Sequence, residues 1–555
     1  MDTKIKGKPL SEETLGNLTL GGFLREVCEK HSEREALVFH PESGPAVRMS
    51  YAQVWDEAFA IARALIARGI TKDTRVGLLA TNRPEWVTAM FGVALAGGTC
   101  VALSTFAKGE ELEYMIRHAD VSLLIFERSV LKRDFAQDIL SFCPELGTEQ
   151  PPVYSDSLPF LRRAVCIDSS LGGAIEDWDD FVHGDLKAPA HLVDAIADQI
   201  APIDRGLIYF SSGSTSKPKG VIHSHRAAAL QSWRWPKIYN LDENVRVWTA
   251  NGFFFSGNFT QAIAAALASG GCLVLQRYFD PGEALRLMEK EKVNLPVAWP
   301  HQNAQLAEDP AWNEVDLSSL YYVSDYSPLR THPTVSKDLT WQEPTSAYGS
   351  TETLTLSSVH PSDTDPEIAA GNSGFPLPGN IFRIVDPETR EVLPIGQTGE
   401  ITVKGPTTML GYLRVVPEDS FDEEGFFHTG DGGFFDEMGR LHWHGRLNDI
   451  IKTGGANVSP LEIDAVAREC PGVKLAATVG IPHDTLGELV VTCIVCEEGT
   501  TLEESTVRGY ISERLSSYKV PRRVLFLEES DLEMTASNKV KTAPLRVLAA
   551  KLLAD

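Results

Sequence analysis

Cysteine is sparse and scattered: eight of 555 residues, from Cys28 to Cys496. No dense spacing staples the chain, so a disulfide scaffold is excluded and a reducing compartment is expected. The closest pair, Cys493 and Cys496, stands in the apolar run Leu489-Val-Val-Thr-Cys-Ile-Val-Cys496, which predicts a buried strand rather than a redox turn opening a helix. Basic excess is also lacking. Lys plus Arg number 51 against 76 Asp plus Glu, a formal net charge of −25, so a nucleic-acid backbone would meet net repulsion and no nucleic-acid partner is expected. The apolar stretches 89–103 and 262–275 are too short to cross a bilayer and hold paired glycines. The opening stretch Met1–Leu10 carries charge without an apolar signal region, so no transmembrane segment is expected and the predicted location is the cytoplasm. His442 and His444 alternate on one strand face but lack a third ligand nearby, which favours a plain sheet segment over zinc. Repeats and low-complexity tracts are absent. What remains is an ordinary globular composition, 43% hydrophobic and 23% charged, long enough for roughly three or four average domains.

From about Met49 to Leu103, helix-like segments (Tyr51–Arg68, Arg83–Ala96) alternate with short apolar strands (Arg75–Ala80, Thr99–Leu103). That alternation predicts an α/β body with doubly wound parallel sheets. Val121–Ile125, Leu207–Phe210, Arg246–Thr249 and Cys272–Leu275 continue the strand series, and the acidic stretch Ser169–Arg205 is expected to be a surface excursion. After Gly399 the texture changes to short strands and turns, a small β-rich subdomain. A small α+β unit follows, with helix-like Pro460–Glu469 and Ser505–Leu515 around strands near Ala476–Ile481 and Leu489–Val495. The expected division is a large N-terminal domain over 1–445, a hinge at 446–450 and a small mobile C-terminal domain over 451–555.

The most informative segment is Tyr209-Phe-Ser-Ser-Gly-Ser-Thr-Ser-Lys-Pro-Lys-Gly-Val-Ile222. An apolar strand runs into a hydroxyl- and glycine-rich loop with two lysines, so backbone N–H groups, hydroxyls and ammonium charges can converge on a polyphosphate. It is not a Walker A loop, because no Gly-Lys-Ser/Thr arrives at the required offset. The segment resembles the phosphate loop of the adenylate-forming superfamily: acyl-CoA synthetases, peptide-synthetase adenylation domains and luciferase. The match runs from Ser211 to Gly220, with Ser216 in place of the family's second glycine. Tyr348-Gly-Ser-Thr-Glu352, Gly399–Pro406, Met409-Leu-Gly-Tyr412, Phe427-His-Thr-Gly-Asp431, Gly445–Lys452, Thr453–Glu462 and Thr535-Ala-Ser-Asn-Lys-Val-Lys541 follow in the family's order. Several short matches in register over nearly the whole chain are far more specific than one loop.

The resemblance implies roles. Ser211, Ser212, Gly213, Ser214, Thr215, Lys217 and Lys219 would hold the phosphates of ATP, while Tyr348 would pack on the adenine and Gly349 and Ser350 would also bind the nucleotide. Asp431 would take the ribose and Arg446 the ribose or a phosphate, with Thr351 at the phosphate and Glu352 as ligand of Mg²⁺, a hard cation that favours oxygen donors. Lys539 would bridge the acyl carboxylate and the α-phosphate, since attack of one anion on another needs cations to offset repulsion; Lys541 is its nearest competitor. Asp449 would be the hinge, and Lys452, Gly454 and Gly455 would meet coenzyme A. His225, following the phosphate loop, fits a structural helix start at least as well as a catalytic role.

The expected activity is therefore an ATP-dependent ligation of a small-molecule carboxylic acid to coenzyme A through an acyl adenylate. Loading of a carrier protein is the alternative, and coenzyme A is expected ahead of it because no carrier segment is recognised within residues 1–555. A non-catalytic nucleotide-binding protein is a further rival, against which the joint retention of Glu352, Asp431, Arg446 and Lys539 weighs. A homodimer is the candidate assembly. For the acid, Phe254, Phe255, Phe259, Ser324, Asp325, Tyr326 and Ala347 are the candidate binding residues, with Phe255 where the family usually has a histidine. Trp233, Trp235 and Tyr239 add aromatic surface. Bulky Asp325 and Tyr326 replace a small-residue stretch, which points to aryl, arylalkanoic or alicyclic acids ahead of long-chain fatty acids, with medium-chain acids as runner-up.

Overall fold

The computed structural model describes residues 4–11, 15–211, 217–325, 327–343, 347–362, 364–387, 389–447, 451–458, 460–533 and 540–554. Its first sheet has eight strands in the spatial order Ile175–Asp177, Arg163–Cys166, Leu123–Phe126, Arg75–Leu79, Thr99–Ala102, Arg205–Ser211, Lys219–Ser224, Gly411–Tyr412. The first six run parallel, Lys219–Ser224 pairs antiparallel to the sixth, and Gly411–Tyr412 pairs antiparallel to Lys219–Ser224. A second sheet sets Leu295–Val297, Arg246–Thr249, Cys272–Leu275 and Glu35–Phe39 in parallel, with Val47–Ser50 antiparallel at its edge. Strands such as Leu123–Phe126 and Cys272–Leu275 are buried along their whole length, as parallel strands covered on both faces must be.

Helices Tyr51–Ala67 and Pro84–Leu95 fill the space between the two sheets, sharing one core with Leu37, Leu273, Val76 and Leu78. Ser50 starts the first of them with a reciprocal capping box to Gln53, and proline at the first position starts the second. The doubly wound reading of this region is correct. The stretch Ser169–Arg205 is more than a surface excursion: it supplies the edge strand Ile175–Asp177 and the helices Trp178–His183 and Ala190–Ala197, which bury Trp178, Phe181 and Val193. Its acidic surface residues masked three widely spaced apolar anchors.

A third, antiparallel sheet of Ile5–Lys6, Ile381–Val385, Gly399–Lys404, Phe427–Phe435 and Leu441–Arg446 forms the β-rich part of the body. His442 is accounted for there, stacked on Phe434 and 3.0 Å from Asp436. The next strand, Ile451–Thr453, belongs to a different sheet, with Ala456–Val458, Gly487–Cys496, Val473–His483 and Arg523–Phe526. Helices Pro460–Arg468 and Glu504–Ser512 cover one face of that sheet and Thr542–Ala554 the other, giving two small cores. Cys493 lies buried in the middle strand, as its apolar run predicts, and all eight cysteines are free. Among the described residues, no helix is long and apolar enough to cross a membrane.

Candidate active site

The antiparallel strands Arg205–Ser211 and Lys219–Ser224 stand sixth and seventh in the eight-stranded sheet and flank the hydroxyl- and glycine-rich segment. Ser212, Gly213, Ser214 and Thr215 lie outside the described residues, as do Tyr326, Asp449 and Lys539. Ser211 Oγ donates to Glu352 Oε1 at 3.2 Å, and the Tyr412 hydroxyl donates to the same oxygen at 2.9 Å. Lys219 Nζ sits 4.9 Å from the centre of the Tyr412 ring, and Lys217 Nζ 4.8 Å from that of Tyr114. Both lysines thus rest on aromatic faces at the flanks of the loop.

The segment Tyr348–Glu352 closes this floor. A Cβ on Gly349 would come within 2.0 Å of the Thr355 carbonyl oxygen, so only glycine lets the two backbones pass. Ser350 precedes the short turn Thr351–Thr353, and Thr351 Oγ1 lies 3.4 Å from the Ser256 hydroxyl. Glu352 is buried, and the Met409 N–H donates to its carbonyl at 2.7 Å. The Tyr348 hydroxyl donates to Asp431 Oδ2 at 2.9 Å, both side chains being buried. Asp431 is in turn the cross-strand partner of Arg446, so the two candidate ribose residues sit side by side at the end of the antiparallel sheet.

These elements wall a cleft of roughly 380 Å³, whose lining includes Ser211, Lys219, Phe255, Thr351, Glu352 and Gly430. Gly455, Ala456 and Tyr518 of the small C-terminal unit complete it. The Gly454–Gly455 turn is pressed onto the body. Both residues have positive φ, 56° and 78°, and a Cβ on Gly455 would meet the Trp299 ring at 2.5 Å. Lys452 precedes the turn with its Nζ 3.2 Å from the Trp443 ring centre. A second cavity of about 320 Å³ continues between the two units, walled by Phe106, Trp299, His301, Gly454, Tyr518 and Arg522, among others.

Of the candidate acid-binding residues, Phe255 faces both cavities and packs against Phe254, Trp299 and Tyr518. Phe254 lies 5.2 Å from Phe106. Phe259 and Trp235 are fully enclosed in the main core, and Trp233 donates to the Asn17 carbonyl beside the N-terminal segment. Asp325 is 62% exposed and pairs with Arg330 at 3.2 Å; Ser324 beside it is half-buried and Ala347 is exposed. His225 heads the helix His225–Tyr239 and accepts from the Leu20 N–H at 3.3 Å, and burial pushes its imidazole down to about 4. It is neutral and occupied in packing.

Sequence reasoning missed Trp299 and His301 of the body and Tyr518, which the docking of the small unit brings to the cleft. It also missed a buried cluster beside it. Lys519 Nζ donates to Glu111 Oε1 at 2.6 Å and to Glu462 Oε1 at 2.7 Å. Burial pushes the Glu462 carboxyl up to about 7. Burial alone would lower the Lys519 ammonium, but the surrounding Tyr518, Glu111 and Glu462 hold it above the ordinary lysine range. The available signal was Glu111 in the first turn of an amphipathic helix, where a carboxylate reads equally well as a dipole partner.

Comparison with known proteins agrees with this geometry. Residues 24–413 match the family model described as AMP-binding enzyme, and residues 462–539 match the AMP-binding enzyme C-terminal domain. The chain is 30% identical over 509 residues to 3-[(3aS,4S,7aS)-7a-methyl-1,5-dioxo-octahydro-1H-inden-4-yl]propanoyl:CoA ligase of Mycobacterium tuberculosis, covering 90% of this chain and 94% of that one. It is 30% identical over 511 residues to indoleacetate–CoA ligase of Aromatoleum aromaticum, covering 91% and 94%. Among solved structures, the amide bond synthetase McbA from Marinactinospora thermotolerans superposes with a TM-score of 0.73 at 26% identity, covering 95% of this chain and 99% of that one.

Proposed function

The chain belongs to the AMP-binding enzyme family, and on that premise we propose that it is an AMP-forming acid–thiol ligase working in two steps on one cleft. In the first, a carboxylate oxygen attacks the α-phosphorus of ATP, the bond to the β-phosphate oxygen breaks, and pyrophosphate leaves an acyl adenylate. In the second, the thiol sulfur of coenzyme A attacks the acyl carbon, and AMP leaves as the thioester forms. The carrying observation is that one cleft is walled jointly by Ser211, Lys219 and Glu352 from the body and by the Gly455 turn and Tyr518 from the small unit. Nucleotide-facing and thiol-facing groups therefore share one space.

The residue roles follow from the chemistry. Ser211 with the loop after it, Lys217 and Lys219 take the phosphates, Tyr348 the adenine, and Asp431 with Arg446 the ribose. Mg²⁺ fits Glu352, a carboxylate whose neighbours at the cleft are the hydroxyl oxygens of Ser211, Thr351 and Tyr412, because this ion binds one or two carboxylates and leaves its other positions to substrate phosphates. Once bound, it supplies positive charge to the phosphates. Lys539 serves adenylation. The thiol arm of coenzyme A runs along the second cavity past Trp299 and Gly454, with Arg522 offering a cation to its phosphates. Lys539 and the glycine turn serve different steps, so the small domain over 451–555 turns about Asp449 in the 446–450 hinge between them, a rotation typical of the family. The cytoplasm is the proposed location, supported by eight free thiols.

For the acid we favour aryl, arylalkanoic and alicyclic chains. The cleft walls near Phe254, Phe255, Phe106 and Trp299 offer flat, rigid contact surfaces, and two relatives bear the names of an indole acetate and a fused bicyclic propanoate. The test is thioester formation with a panel of acids. Indoleacetate, phenylpropionate or cyclohexanecarboxylate should exceed palmitate in kcat/KM by at least about tenfold, since that ratio measures discrimination. Palmitate outperforming all three would refute the acid class.

A further inference from the structure

Lys519 sits on the short turn Ser517–Lys519 of the small domain, beside Tyr518, and its side chain is 1% exposed. Its two carboxylate partners come from different bodies. Glu462 lies in the helix Pro460–Arg468 of the same domain, whereas Glu111 lies in the first turn of the helix Gly109–His118 of the N-terminal body. The Ser516 hydroxyl donates to the other oxygen of Glu111 at 2.8 Å, and Lys108 Nζ, one residue before that helix, donates to the Ser512 carbonyl at 2.7 Å. Glu111, Ser516, Tyr518 and Lys519 also wall a small cavity together with Ser211, Phe254 and Phe255. The ionic contact is thus built directly against the wall of the reaction cleft.

We propose that Glu111 is a positioning residue for the thiol-transfer step: it captures Lys519 and so holds the small domain in the orientation that seats Gly455 on Trp299 and Tyr518 beside Phe255. The inference rests on the two-orientation reading given above. Its physical basis is the asymmetry of the two partners. Glu462 belongs to the same domain as Lys519 and lies 2.7 Å from it here, so a turning domain carries the two together and undocking does not strand a buried unpaired cation, the costly event for such groups. One Glu462 oxygen makes no hydrogen bond in this orientation, so that carboxylate has capacity left for its ammonium. Glu111 is the partner that is exchanged. A contact present in one orientation alone biases the equilibrium by its differential strength and by nothing else.

The two carboxylates therefore carry opposite predictions. Glu111→Gln keeps the shape and weakens docking, so transfer of acyl adenylate to coenzyme A in a single turnover should fall roughly ten- to hundredfold while acid-dependent pyrophosphate exchange stays within about threefold, in the usual range of coupling between two states. Glu111→Asp should recover part of the loss. Glu462→Gln removes the travelling partner, makes undocking dearer and should slow pyrophosphate exchange while leaving transfer intact. A merely structural ion pair would depress both steps alike in both variants. Shifts of both half-reactions in the same direction, or transfer within twofold of the parent in Glu111→Gln, would overturn the inference. A parent enzyme without acid-dependent exchange would overturn instead the reading on which it rests, and the inference with it.

Discussion

The sharpest perturbation of the proposed division of labour is a single methyl group, Gly455→Ala. Gly455 has a φ of 78°, and an added Cβ would stand 2.5 Å from Trp299 Cδ2. Alanine pays about 1–2 kcal/mol to hold that left-handed conformation, and ordinary carbon contacts lie at about 3.5–4.0 Å, so the turn must also retreat by roughly 1 Å from the ring. A misplacement of that size costs about a hundredfold in a step that depends on alignment, equivalent to about 2.7 kcal/mol of barrier. The loss should fall on transfer of a preformed acyl adenylate to coenzyme A, read in a quenched-flow single turnover. Acid-dependent pyrophosphate exchange should change by less than about threefold, because the adenylating groups lie on other walls. Transfer at the parental rate, or equal losses in both half-reactions, would refute the reasoning.

Lys539→Ala should show the mirror image, losing acid-plus-ATP exchange by about three or more orders of magnitude while still converting supplied acyl adenylate and coenzyme A to thioester, as removal of a charge-stabilising group from one step requires. Asp464, 6% exposed, has its carboxyl pushed by burial up to about 7. A carboxyl raised in the folded state contributes stability that is fully present below its unfolded value near 4 and is lost as pH rises through the folded value, so this contribution should decline between about pH 4 and 7. Asp464→Asn should flatten that slope and raise stability at pH 8 by about 2–4 kcal/mol in denaturant titrations, and an unchanged slope would contradict the assignment.

The fold was legible where period and punctuation agree. Strands Arg246–Thr249 and Cys272–Leu275 coincide residue for residue with their apolar runs, and helix Tyr51–Ala67 ends one residue short of the expected Tyr51–Arg68, because each is specified by its own burial. The stretch 169–205 was illegible for the opposite reason, its helices being short and amphipathic with few anchors under an acidic surface. The floor of the cleft, Tyr348 with Asp431 and Ser211 with Glu352, joins residues from separate motifs, and their order along the chain was the sole hint that they meet. Tyr518 and the Glu111–Lys519 contact were out of reach, since they depend on how one domain sits on another, which no local pattern encodes.

The central claim, an acid–thiol ligation through an acyl adenylate, is tested most directly by the products. With an arylalkanoic acid, ATP, Mg²⁺ and coenzyme A, the enzyme should form thioester, AMP and pyrophosphate in equal amounts, and should exchange labelled pyrophosphate into ATP when the acid is present and coenzyme A is not. ADP and phosphate as products, or thioester formation without acid-dependent exchange, would contradict it.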